Sequence, residues 1–411
     1  MTLYEYCLTP TSQFYYCGLP LRMDSYSKCQ FSCRYCFASS RGGRRGLPGM
    51  QIADPEQLAH TLNRLTSGAP RTVVEEFLAE RQPIHLGGMS DPFSPIENVR
   101  GVTLRILEVL ADHQYPTIIS TKATMYAQDR YLDCLKRGRF IVQSSIIGTE
   151  EKFVKQVDFG TPGPAAQLQA LRQVASEGIP TACRIQPLIP TREADAESVI
   201  DACADAGVRH VAVEHLKLPL EREWSGTPRI SSILGFDLAQ YYAREGAKRT
   251  GREWVLPLEA RIEAVLALRG RAHDEGLTFG AADNDLLLLG DGECCCSGAD
   301  LVPGFSTYFR HNYAEAARRG LRSGIVSLDS LNDTWFPEGS MSRYVNSHSR
   351  LPAIHGRGAN VDEYIRRNWN GRPNGCSPAS IFGVSATGES DDHGFRLYSV
   401  SDRVRELRRL S

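Results

Sequence analysis

Between residues 21 and 220, short apolar runs alternate with amphipathic segments, which is the pattern of repeated βα units around a parallel sheet. Runs at 83–88, 116–121, 139–147, 180–189 and 208–215 predict strands, and a first strand falls at 21–24. Helical periodicity predicts helices over 55–65, 99–112, 129–137, 164–177 and 194–206, with Gly138, Gly178 and Gly207 expected as left-handed caps. Six strands predict an α/β fold, a partial (β/α)6 parallel barrel over residues 15–235. Past residue 220 the period changes. A helix at 257–272 leads into a Gly-, Arg- and aromatic-rich stretch with a turn at Pro337-Glu338-Gly339, so residues 236–411 are expected to form a mixed carboxy-terminal module over the barrel mouth.

Small and polar residues recur where the predicted strands end. Gly87-Gly88-Met89-Ser90-Asp91-Pro92 follows the second strand, Ser120-Thr121-Lys122 the third and Ser144-Ser145 the fourth, while Arg184 and Gln186 lie on the fifth. In parallel α/β barrels, functional residues gather at the carboxyl ends of the strands, so these positions are expected to line one site.

The loop after the first strand carries Cys29, Cys33 and Cys36 in the spacing C-x3-C-x2-C. Structural zinc takes four protein ligands, and all-cysteine iron-sulfur clusters do likewise. Three thiolates therefore point to an iron-sulfur centre with one iron open to another ligand; a zinc loop or three ordinary buried cysteines are the competing readings.

This spacing, with Tyr35 just before the third cysteine, resembles the signature of the radical S-adenosylmethionine superfamily. The runs 88–97, 120–122 and 184–190 resemble more closely the spore photoproduct lyase and DNA repair photolyase group within it. The resemblance covers roughly residues 29–190 and implies a [4Fe-4S] cluster on Cys29, Cys33 and Cys36. It further implies reductive cleavage of S-adenosylmethionine to a 5′-deoxyadenosyl radical, an external flavodoxin- or ferredoxin-type electron donor, and a nucleic-acid base or nucleotide as substrate. Carried over residue by residue, it implicates Gly87, Gly88, Ser90, Asp91 and Lys122; together with Tyr35 and the strand-end positions Ser145, Arg184 and Gln186, these are the candidates for holding the cofactor. Met89 stands where the superfamily's Gly-Gly stretch carries Glu, and no thiol precedes Ser90, where the lyase has its hydrogen-donating Cys. Thymine-dimer reversal by that route is therefore not expected. Two alternatives remain: a radical maturase acting on a peptide or small metabolite, and a non-catalytic iron-sulfur or zinc module.

Cys294, Cys295 and Cys296 make a candidate auxiliary metal site, which Cys376 could complete, and Cys295 and Cys376 are the candidate hydrogen donors. The remaining single cysteines, Cys7, Cys17, Cys134, Cys183 and Cys203, read as core, and His85, His210 and His215 as satisfied structural groups. Basic and aromatic residues interleave at 308–322 and 364–372, and Arg41–Arg45 adds a basic cluster, a pattern shared by single-strand binders and by helices with a buried aromatic face.

Composition adds little beyond exclusions. A net charge of −1 excludes a global field for a polyanion. Only seven of the 47 basic residues are Lys, a bias that coding composition explains as well as phosphate binding does. No apolar run is long enough to span a membrane, and twelve cysteines in 411 residues are too sparse for a disulfide scaffold, so a reducing, cytoplasmic setting is expected.

Overall fold

The computed structural model describes residues 2–5, 7–40, 49–220, 226–251, 253–294, 296–344, 359–371 and 376–409. All six expected strands form: β2 (Leu21–Met23), β3 (Ile84–Leu86), β4 (Thr117–Thr121), β5 (Phe140–Ser145), β6 (Thr181–Leu188) and β7 (His210–His215). They pair in chain order and in parallel, for example Ile84 with Thr117 and Val142 with Thr181. Both faces of these strands are covered, which is why they read as near-continuous apolar runs.

Two further strands extend this sheet to eight. At one edge β1 (Leu8–Pro10) runs antiparallel to β2. At the other, Thr278–Ala281 pairs in parallel with β7, so the parallel sheet continues past the expected boundary at residue 235. The sheet curves into an open arc whose two ends are joined by loop contacts. Asn284 Nδ2 donates to Gln13 Oε1 at 3.0 Å, and Gly18 N donates to Cys294 O at 3.0 Å.

The outer helices follow local signals. Asp54 caps Pro55–Leu65 by accepting from Gln57 N at 3.0 Å, with Pro55 in the first turn. Gly178 and Gly207 adopt the expected left-handed conformation, each at φ +77°. Two expectations need correction. Gly138 is extended (φ −107°, ψ −170°), and a Cβ there would lie 2.1 Å from the Phe140 ring, so close packing rather than handedness excludes a side chain. The single helix over 99–112 is two, Glu97–Arg100 and Val102–Asp112, because Gly101 takes φ +60° between them.

Beyond the arc, the carboxy-terminal chain forms a three-stranded antiparallel sheet of Ile325–Val326, Val384–Ser390 and Arg396–Val400, with helices at Tyr313–Ser323 and Val361–Trp369. Tyr313, Tyr364, Trp369 and Tyr398 are fully or almost fully buried, in one cluster with Phe14, Tyr15 and Tyr16. The aromatic and basic interleaving at 308–322 and 364–371 is thus the signature of amphipathic helices whose aromatic faces are core, and it offers no stacking platform. The Arg41–Arg45 cluster and Arg372 lie outside the described residues.

Candidate functional site

At the carboxyl edge of the arc, the three cysteines and the strand-end residues line one cavity of about 1050 Å³, open solvent at its mouth included. Every residue expected to hold the cofactor is among its walls: Tyr35, Gly87, Gly88, Ser90, Asp91, Lys122, Ser145, Arg184 and Gln186. The cysteine loop is fixed from outside the sheet. Ser32 N donates to Phe159 O at 2.9 Å and Arg34 N to Val157 O at 2.8 Å, so the short helix Glu151–Val157 and the residues after it form its backing.

Burial pushes the Cys29 thiol up to about 12, and burial with the nearby Asp158 raises Cys33 well above the ordinary thiol range. In the bare chain these groups are thus neutral thiols, and a cationic metal centre is what would stabilise them as thiolates. Among the described residues no three His, Cys, Asp or Glu side chains are grouped so as to hold a single metal ion. Cys29, Cys33 and Cys36 nevertheless all line the one cavity, and a donor set of three thiols is the chemistry an iron-sulfur centre takes.

The two glycines are there for space. Gly87 sits at φ +93°, and a Cβ on it would fall 2.3 Å from Ser120 O; at Gly88 a Cβ would meet Arg22 Cδ at 2.5 Å. Adjacent backbone is organised by carboxylates. Asp24 Oδ1 accepts from Met89 N at 2.8 Å and from Ser90 N at 2.9 Å. Asp91 ties the end of β3 to the end of β4: its Oδ1 accepts from Thr121 Oγ1 at 2.8 Å and Phe93 N at 2.9 Å, and its Oδ2 from Lys122 N at 2.6 Å. Ser90 Oγ donates to Tyr26 O. Ser90 and Asp91 therefore act first as struts that shape the cavity.

Lys122 is engaged as well. Its Nζ lies 2.9 Å from Asp158 Oδ2, 3.2 Å from Ser145 O and 5.5 Å from the Tyr35 ring centre, and Tyr35 OH donates to the same Asp158 carboxylate. Burial pulls the ammonium pKa down, but the Asp158 carboxylate outweighs it and holds it above the ordinary value. Lys122, Tyr35, Asp158 and Cys33 thus form one buried cluster under the cysteine loop. Asp158 was not legible in the sequence, because it follows a short helix and not a strand.

A second polar network closes the far wall. Glu214 Oε2 accepts from Arg184 at 3.0 Å and also from Gln186, while Lys217 pairs with Glu214 and lies 3.2 Å from Asp283. Burial raises the Asp283 carboxyl pKa, but Lys217, His215 and Arg261 together hold it well below the carboxylate range. His215 Nδ1 lies 2.7 Å from Asp283, and His210 bonds Thr278 Oγ1 and Cys296 O, so His210 is a satisfied structural group and His215 is satisfied at Nδ1. Glu214 and His215 end β7, a position the strand-end rule could have flagged.

A second cavity, of about 1120 Å³ with its open solvent, lies inside the arc and shares Phe37, His85, Gly88, Met89, Arg184, Gln186 and Glu214 with the first. Cys17 and Cys296 line it; Cys376 lines neither cavity and packs against the large core cluster beside Tyr16. Cys295 lies outside the described residues. Among those described, Cys294 is buried in a small apolar cluster and makes no three-ligand group with Cys296.

Sheet and site together define an α/β chain with a curved, mainly parallel sheet and a thiol-bearing cavity at its carboxyl edge. No protein-family model matches it. An uncharacterized protein of Mycobacterium tuberculosis is 25% identical over 209 residues, covering 49% of this chain and 60% of the relative. One of Acidianus two-tailed virus is 26% identical over 139 residues, covering 32% and 46%. The chain thus matches no more than about 60% of the length of these curated relatives. Among solved structures, a mutant spore photoproduct lyase with bound AdoMet and dinucleoside spore photoproduct is similar over 67% of this chain and 77% of that one, at 14% identity and a TM-score of 0.49. Streptococcus suis SuiB bound to precursor peptide SuiA is similar over 48% and 40%, at 13% identity and a TM-score of 0.35.

Proposed function

We propose that the chain is a radical S-adenosylmethionine enzyme acting on a nucleic-acid base or nucleotide. The observation that supports this most directly is the convergence of Cys29, Cys33 and Cys36 with Gly87, Gly88 and the strand-end polar residues on one cavity. When bound and reduced, the [4Fe-4S] cluster supplies the electron that cleaves S-adenosylmethionine to methionine and a 5′-deoxyadenosyl radical. The protein's own part is positional. Cys29, Cys33 and Cys36 would hold three irons; the Lys122–Asp158–Tyr35 cluster fixes the loop from beneath; Asp24 and Asp91 hold the 87–91 turn at the wall of the same cavity. The Arg184–Glu214–Lys217 network lines the same cavity. The electron is proposed to come from an external flavodoxin- or ferredoxin-type donor. Among the described residues no helix is long and apolar enough to cross a membrane.

Anaerobic reconstitution, iron and sulfide analysis, and 5′-deoxyadenosine formation under dithionite test the reading. Cys33→Ala is expected to lose cluster and cofactor cleavage together. A variant that keeps both overturns the assignment.

A further inference from the structure

The last residue of β7 carries a ring nitrogen that the fold leaves open. His215 Nδ1 lies 2.7 Å from Asp283 Oδ2, and the same oxygen accepts from His215 N at 3.2 Å. Both contacts follow from the sheet. Thr278–Ala281 runs parallel to β7, and Ala282 N donates to Val213 O at 2.8 Å, so Asp283 arrives beside His215 at the carboxyl edge. Nε2 differs: it has no hydrogen-bond partner among the described residues, yet it is not one of the enclosed polar atoms. His215 belongs to the wall of the cysteine cavity, which gives that nitrogen its open space.

The ring is held as a proton acceptor needs to be. In neutral imidazole one nitrogen donates and the other accepts, so a bond from Nδ1–H to a carboxylate leaves the lone pair on Nε2. Asp283 suits that task. It is buried, and Lys217 at 3.2 Å and Arg261 at 3.5 Å keep it charged. A proton taken at Nε2 is then stabilised by a carboxylate already in place behind the ring.

Neighbouring titratable groups of the wall are committed elsewhere. Asp91 accepts from Thr121 and Lys122 N, Lys122 Nζ pairs with Asp158, Glu214 pairs with Arg184 and Lys217, and the three thiols are the metal donors. His85 lines the wall too, but a pKa pushed down to about 3 makes it a poor proton acceptor at neutral pH. We propose that His215 is a general base of this cavity, taking at Nε2 the proton of an N–H or O–H on the bound substrate, with Asp283 as its positioning residue. The electron pair of the broken bond stays on the substrate atom, and the imidazolium returns its proton to product or water. This deepens the functional reading above and rests on it for the identity of the substrate.

The test uses 5-nitrobenzisoxazole, a planar probe that a cavity base opens: the base takes the ring C–H proton, the N–O bond breaks, and the electron pair leaves on a coloured phenolate oxygen. The anaerobically reconstituted chain is expected to open it about tenfold or more faster than His215→Gln does. Asp283→Asn is expected to lower kcat about fivefold or more at unchanged KM, and Asp283→Glu to recover part of that loss. Should the His215 variant not fold, diethyl pyrocarbonate mapping of the wild type takes its place. Acylation of His215 about tenfold faster than of His210, both of whose ring nitrogens are bonded, is then expected. A probe opened as fast by His215→Gln or by Asp283→Asn, or a His215 acylated no faster than His210, overturns the proposal. 5′-Deoxyadenosine is measured without probe, so a chain whose His215 opens the probe but that makes no 5′-deoxyadenosine refutes the radical reading and leaves the base standing.

Discussion

Removing the charge of Asp158 is expected to be among the costliest single changes available near the cysteine loop. The carboxylate is 1% exposed and sits 2.9 Å from the Lys122 ammonium, whose side chain is 13% exposed. Two unit charges at that separation attract by roughly 6 kcal/mol at an effective dielectric of about 20, and breaking a buried pair from one side leaves an uncompensated charge worth about 3–5 kcal/mol. Ser145 O and the Tyr35 ring remain near Nζ and offset part of the loss. Asp158→Asn, which keeps the shape and can still accept from Tyr35, is therefore expected to destabilise the cluster-free chain by about 3 kcal/mol in urea unfolding. Lys122→Met in the same background is expected to recover at least about 1 kcal/mol, because the stranded ammonium is then gone. A single variant that costs less than about 1 kcal/mol, or a double variant less stable than Asp158→Asn alone, refutes the reasoning.

The pH dependence of stability carries a signature of His85. Its folded pKa lies near 3 against an ordinary 6.5, so below pH 6.5 the unfolded chain binds a proton that the folded chain refuses. The folded state therefore loses stability as pH falls from 6.5 toward 3, by about 2 kcal/mol at pH 5, and His85→Gln should flatten that slope by the same amount; equal slopes in urea unfolding at pH 7 and 5 rule this out. Gly87→Ala is expected to cost more than 2 kcal/mol, since it meets both a φ of +93° and a carbonyl 2.3 Å from the new Cβ, whereas an Ala at the solvent-facing Gly246 should cost about 1 kcal/mol; similar losses at the two sites contradict the packing argument. Trp369→Ala should cost about 3–5 kcal/mol, because the side chain is fully buried, yet leave the salt dependence of any nucleic-acid binding unchanged; a changed salt slope restores the tail as an interface.

What the sequence disclosed, and what it hid, follows from the physics of each element. The strands β3 to β7 were legible within about two residues because burial on both faces writes a continuous apolar run into the chain. Thr278–Ala281 was not, being four residues that include a glycine with no run to announce it. The strand-end residues meet at one cavity because parallel sheets gather such residues at their carboxyl edge, a rule that needs only the strands. It fails for Asp158, which reaches the loop from the end of a short helix. The aromatic and basic interleaving of the tail was ambiguous because amphipathic helices and stacking surfaces share a composition; only burial separates them. Cys376 was hard to place for a related reason. A lone thiol has no periodicity, and here it packs against the core behind Tyr16.

Electron paramagnetic resonance of the reduced, anaerobically reconstituted chain, recorded before and after adding S-adenosylmethionine labelled with 15N at its amino group, tests the central claim most directly. A reduced-cluster signal that shifts on addition and acquires nitrogen coupling from the label is the expected result, because three thiolates leave one iron for the cofactor. A chain that retains only a single zinc, or a cluster whose spectrum and nitrogen coupling do not respond to S-adenosylmethionine, contradicts it.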